Sequence, residues 1–146
     1  MKSFLITFAL LLLCSTFGFA QTDIAVEEVT STPTIGYKGD VFFLTTTVAN
    51  LGSVEAKSYY IYYYVSTSPT FNKNTATQVG SSYGASLYPG SNGISHSFNF
   101  IFPTYLSNYT TRTWYVWAEI VGPMEPDSAK ANNIKSCAIT IYGSSY

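Results

Sequence analysis

The ten residues Lys57-Ser58-Tyr59-Tyr60-Ile61-Tyr62-Tyr63-Tyr64-Val65-Ser66 constrain this chain more than any other stretch. They are dense in aromatic and β-branched side chains, which suit a pleated, half-buried surface better than a helix. As a strand, the stretch places Tyr59, Ile61, Tyr63 and Val65 on one face and Tyr60, Tyr62 and Tyr64 on the other. An ordinary half-buried strand carries Thr, Ser or Lys on its wet side, whereas this one carries tyrosine. Both faces therefore want a partner. One is expected to be the core of a small β-sandwich and the other a surface for recognition.

Strand signals recur along the rest of the chain, punctuated by turns. Asp23 to Val26 alternates, and Glu27-Glu28-Val29 shifts the apolar phase by one. That reads as a bulged first strand whose paired carboxylates discourage edge-to-edge association. Pro33 ends it, and Gly36 to Asp40 reads as a turn after Ile35. Val41 to Asn50 is a second strand with Phe42, Leu44, Thr46 and Val48 inward, and Asn50-Leu51-Gly52-Ser53 turns the chain into the tyrosine strand. Ser66 to Thr75 is expected to be a loop. A short strand lies near Thr77-Gln78-Val79, then a Gly/Ser loop runs through Gly84. Ile94 to Phe102 presents Ile94, His96, Phe98, Phe100 and Phe102 inward. Thr113 to Val121 presents Trp114, Val116, Ala118 and Ile120 inward and Tyr115, Trp117 and Glu119 outward. A polar loop from Gly122 to Asn133 leads to Ile134–Tyr142, with Cys137, Ile139 and Ile141 inward. No segment has a helical period. The expected fold is all-β: a seven-stranded antiparallel immunoglobulin-like β-sandwich.

The first 20 residues stand apart. Met1-Lys2 is a basic start, Phe4 to Leu13 an apolar run, and Gly18-Phe19-Ala20 a small-residue cleavage site, the pattern of a secretory signal peptide too short to span a bilayer. A lipoprotein signal modified at Cys14 is the alternative, disfavoured because Leu13 stands where a small residue usually does. Cleavage after Ala20 leaves one domain, residues 21–146, with six basic against eight acidic side chains. That balance is not basic enough to hold nucleic acid by its phosphates. No later segment is long enough for a membrane span. Of the two cysteines only Cys137 survives cleavage, which excludes an internal disulfide. The chain is expected to be secreted or held at the cell surface, extracellular or periplasmic.

Several pieces, in order, resemble the cell-adhesion-related domain found in bacteria, the CARDB family. They are Asp23-Ile24, Pro33 with Gly39, and Val48-Ala49-Asn50-Leu51-Gly52-Ser53. Tyr64-Val65-Ser66-Thr67, Leu87-Tyr88-Pro89-Gly90, Trp114-Tyr115-Val116 with Ala118, and Asn132-Asn133 follow. The resemblance spans nearly all of residues 21–146. It implies a seven-stranded sandwich of exported bacterial proteins, adhesive or accessory in role and without catalysis of its own. The chain departs from the family in two places. The loop after the third strand, usually acidic, reads Ser68, Asn72 and Asn74, and Lys130 stands near the paired asparagines where Glu is usual. Both changes remove carboxylates, which argues against a calcium-dependent role here; no metal site and no cofactor are expected.

The sharpest candidate site is the outward aromatic face. In an immunoglobulin-like sandwich the third and sixth strands are neighbours. Tyr60, Tyr62 and Tyr64 would then lie beside Tyr115 and Trp117, with Ser136, Ala138 and Thr140 on the strand beyond. Five half-exposed rings amount to on the order of 400–600 Å², at or above the largest apolar patch of a typical monomer. The bland alternative is cross-strand pairing that only stabilises the sheet, at roughly 0.2–1 kcal/mol per pair. The expected function is a non-enzymatic interaction or adhesion module binding a protein or cell-surface partner through these five residues. Its alternative is a carbohydrate-binding module that stacks a cell-surface glycan on the same rings. Self-association through this face or an edge strand is a third reading.

No catalytic set converges. His96, the single histidine, falls on an inward stripe without a nearby acid, so it reads as a satisfied, partly buried residue and not a general base. One His and one Cys cannot make a zinc site, and Cys137 reads as an inert buried thiol. Glu125 and Asp127 read as a solvated loop, in preference to calcium ligands with Asn132 and Asn133. Asn108-Tyr109-Thr110 matches a glycosylation sequon that the bacterial resemblance makes irrelevant.

Overall fold

The computed structural model describes residues 21–106, 110–122 and 130–143. Residues 1–20, where a signal peptide is expected, lie outside the described residues, as do Asn108, Tyr109, Glu125 and Asp127. Eight strands are described: β1 (Ile24–Thr32), β2 (Ile35–Tyr37), β3 (Val41–Asn50), β4 (Tyr59–Ser66), β5 (Thr77–Gly84), β6 (Ile94–Ile101), β7 (Arg112–Val121) and β8 (Ile134–Tyr142). They form a three-stranded sheet, β1-β3-β6, packed on a five-stranded sheet, β2-β8-β7-β4-β5. This is an all-β sandwich of immunoglobulin-like connectivity.

All seven strands expected from alternation are present, and β2 adds an eighth. β1 ends at Pro33, and the chain crosses to the other sheet, where Ile35–Tyr37 pairs parallel with Thr140–Tyr142. An otherwise antiparallel sandwich thus acquires one parallel pair. Three residues are too few to show a period, and Gly36 hides the pattern further. Gly36 lies against the Phe42 ring, where a side chain would collide. β5 also runs further than expected, through the Gly/Ser segment to Gly84. Its glycines leave room for rings: Phe98 from the opposite sheet fills the space at Gly80, and Tyr59 of the neighbouring β4 fills the space at Gly84.

The core follows the alternation. Tyr59, Ile61, Tyr63 and Val65 of β4 are buried, as are Phe42, Leu44, Thr46 and Val48 of β3 and Trp114, Val116, Ala118 and Ile120 of β7. Two buried tyrosines need partners for their hydroxyls, and both have them. Tyr59 OH lies 2.6 Å from His96 Nε2 and Tyr63 OH 3.3 Å from Ser82 Oγ, while the Tyr63 ring stacks on Phe98 at 4.4 Å. The inward row of β6 departs from expectation at one end. Phe100 and Phe102 are buried, but Ile94 is 42% exposed, because an edge strand has a neighbour on one side only. The bulge expected in β1 lies between Val26 and Glu28.

Asn50 ties the end of β3 to the segment before β6. Its fully buried carboxamide donates to the carbonyls of Val54 at 2.8 Å and Leu87 at 2.9 Å, and it accepts from the Gly52 amide at 3.0 Å. Gly52 is required there, since a Cβ would run into the Gln21 carbonyl and the Asp23 amide. The Asn-Leu-Gly turn is therefore also the clamp for the start of β1.

Candidate functional site

β4 and β7 are adjacent and antiparallel, with Tyr64 opposite Trp117, Tyr62 opposite Glu119 and Tyr60 opposite Val121. On β8, Ala138 lies beside Tyr115 and Ser136 beside Trp117. The alternation therefore sets Tyr60, Tyr62, Tyr64, Tyr115 and Trp117 on one face of the five-stranded sheet, as expected. The face is not bare as a whole. Tyr64 is 3% and Trp117 9% exposed, because the loop between β4 and β5 folds back over them.

Two loop residues make that cover. The Phe71 ring sits 5.4 Å from Tyr64 and 5.5 Å from Trp117, centroid to centroid. Lys73 Nζ donates to Glu119 Oε2 at 2.7 Å and lies 5.8 Å and 5.7 Å from the ring centroids of Tyr62 and Tyr64. The Tyr64 hydroxyl donates to the same carboxylate oxygen at 3.0 Å. Burial above all raises the Tyr64 phenol, and the hydrogen bond to Glu119 raises the Lys73 ammonium. Lys73 is more than half exposed, so its ion pair is worth at most about 1 kcal/mol. Phe71 supplies the anchor and Lys73 fixes its position.

The uncovered part lies toward β5. Tyr60 is 47% exposed, stacks on the half-buried Tyr62 at 6.1 Å and meets its cross-strand partner Tyr83 edge-on at 5.4 Å. Tyr83 is 58% exposed. Tyr115 is half-buried beside Trp117, at 6.3 Å. Sequence reasoning missed Tyr83, which it assigned to a loop, and it missed Phe71 and Lys73. A lone Phe in a polar loop was the available signal, because an aromatic side chain seeks burial wherever the chain can reach it.

No protein-family model matches the chain, and no curated protein does. Solved structures do. A CARDB domain from Pyrococcus furiosus, in complex with di-metal ions, superposes with a TM-score of 0.57 at 18% identity, over 86% of this chain and 98% of that one. The chain has a CARDB-like fold. A domain from Methanosarcina acetivorans, of a protein described as a cell surface protein, gives a TM-score of 0.53 at 14% identity over 83% of this chain and 92% of that one. β-Glucosidase 3B from Thermotoga neapolitana gives 0.54 at 12% identity, but the match spans only 16% of that enzyme.

Within this CARDB-like frame, two of the pieces that carried the resemblance meet. Asn132 Nδ2 donates to Asp23 Oδ1 at 2.9 Å, and the Asn133 carbonyl accepts from the Ile120 amide at 2.8 Å. The paired asparagines thus fasten the approach to β8 onto β1 and β7. Ser68 Oγ and Asn72 Oδ1 are engaged in local turns with Thr70 and Asn74. Among the described residues no three His, Cys, Asp or Glu side chains cluster.

The remaining singled-out residues have structural surroundings. Burial lowers the His96 imidazole and raises the Tyr59 phenol to about 12, so their hydrogen bond joins two neutral groups at neutral pH. Cys137 is half-buried opposite Val116, and burial pushes its thiol up to about 11. The described residues that line one concavity are Glu119–Gly122, Lys130, Asn133 and Ile134. Among the described residues no helix is long and apolar enough to cross a membrane.

Proposed function

We propose that the protein is a non-enzymatic, exported interaction module that binds a protein partner at a cell surface through the uncovered tyrosines of its five-stranded sheet. Tyr60, Tyr62 and Tyr83 form the contact surface, and Tyr115 extends it on the far side of the loop. Tyr64 and Trp117 support that surface from beneath the loop. The observation that carries this reading is the exposure of Tyr60 and Tyr83, held edge to face on a rigid sheet. Rings held this way offer amphipathic contact area at little entropic cost. The CARDB-like fold, shared with a domain of a protein described as a cell surface protein, supports the exported setting.

The test is binding of labelled protein to intact cells and envelope fragments of the organism that produces it. Tyr60→Ala with Tyr83→Ala should reduce binding by about tenfold or more, the effect of losing one good aromatic anchor, with the melting temperature nearly unchanged. Binding equal to the parent protein would refute the reading. Displacement by soluble glycans, with proteinase-treated cells binding as before, would instead assign the same rings to a carbohydrate.

A further inference from the structure

A sandwich with two open sheets has four edges, and three of them are protected. β1 carries the bulge at Glu27 and the Glu27-Glu28 pair, β2 is three residues long and follows Pro33, and β5 is broken by a register shift opposite Tyr63 and Tyr64. These are the usual devices that stop a sheet from adding strands. β6 has none of them. Its sequence, Ile-Ser-His-Ser-Phe-Asn-Phe-Ile, contains no charged residue and no proline, and it pairs with β3 over eight residues without a shift.

The free side of β6 can be assigned group by group. The Phe102 amide donates to the Asp40 carbonyl toward β3. Backbone groups of successive residues point to opposite sides of an antiparallel strand. Even-numbered residues of β6 therefore face β3, and Ser95, Ser97, Asn99 and Ile101 direct their N–H and C=O groups to the open side. Next to this row, the inward side chains are incompletely covered: Ile94 is 42% exposed, and His96 and Phe98 are half-buried.

We propose that β6 pairs antiparallel with β6 of a second copy of this chain, joining the two three-stranded sheets into one of six strands. Self-pairing suits this edge because an isologous contact sets a strand against itself, and an uncharged strand meets no like charge there. With Ser97 on the two-fold axis, opposite Ser97 of the copy, residues 94–100 of the two strands overlap with their faces in phase. Ser95 then faces Asn99 across the axis, His96 faces Phe98, and Ile94 faces Phe100. Each of the half-covered inward side chains gains an apolar or aromatic neighbour. The contact is a strand edge and not a broad face, so the dimer is weak and depends on concentration.

Sedimentation equilibrium of the protein from low micromolar to millimolar concentration tests this. The parent chain should pass from monomer to dimer. Ser97 is exposed, so Ser97→Lys and Ser97→Asp should each keep the parent's circular dichroism spectrum and melting behaviour. Each should raise the dissociation constant about tenfold, through like charges brought face to face. An equimolar mixture of the two variants should recover the parent's association. A parent chain that stays monomeric throughout overturns the proposal. So does Ser97→Lys associating as well as the parent, or a mixture no more associated than its components.

Discussion

Phe71→Ala separates what the loop does from what the sheet does. The ring is half-buried and touches both Tyr64 and Trp117. Full burial of a phenylalanine side chain contributes about 1.5–3 kcal/mol, so a half-buried one contributes roughly 1 kcal/mol. Two ring–ring contacts add about 0.5–1.5 kcal/mol each. These parts are not strictly additive, and a total loss of roughly 2–3 kcal/mol is expected. In a domain of this size that lowers the melting temperature by on the order of 10 °C. The informative assay is acrylamide quenching of tryptophan fluorescence, run beside urea unfolding. Trp114 packs on Phe102 at 5.1 Å inside the sandwich and serves as the protected reference. The variant should expose Trp117 alone, with a red-shifted emission and about half of the signal open to quencher, while unfolding stays cooperative. Quenching equal to the parent's would refute the claim that the loop, through Phe71, excludes water from Trp117.

Two further outcomes follow from the buried polar groups. Asn50→Ala removes the partners of the Val54 and Leu87 carbonyls and of the Gly52 amide. At about 1–3 kcal/mol per buried group left unsatisfied, a destabilisation of roughly 2–4 kcal/mol is expected in urea unfolding; a cost within experimental error would mean that the turn holds itself. Burial lowers the folded-state pKa of His96 below its ordinary 6.5, so under acid conditions the unfolded chain takes up a proton that the folded chain resists. Stability from this source is complete above about pH 6.5 and is lost as pH falls through the lowered folded value. Replacing His96 by Gln should flatten that limb of the stability curve, and an identical slope in the variant would assign the acid sensitivity elsewhere.

The inward rows of β3, β4 and β7 were legible because a period of two is a local property. Wherever rings or β-branched residues recur at every second position, one set must leave water. The two tyrosines that this sends into the core, Tyr59 and Tyr63, are tolerated because β6 and β5 bring His96 and Ser82 within reach of their hydroxyls. The outward row was legible as a row, but its exposure was not. Tyr64 and Tyr60 are equivalent by alternation, yet one is 3% and the other 47% exposed. A loop residue seven positions after Tyr64 makes the difference, and strand periodicity carries no information about where a loop will fold.

Taken alone, the order of residues determined that this chain builds two β layers, which side chains face between them, and that the central strands carry rings on both sides. Those outcomes depend only on neighbours along the chain and on the need to remove apolar surface from water. The tertiary structure decided which outward rings stay wet, that Ile35–Tyr37 lies parallel to β8, and that β6 is the edge left unguarded among the described residues. Each of these depends on a contact between segments distant in sequence, whose free energy exists only once both are in place.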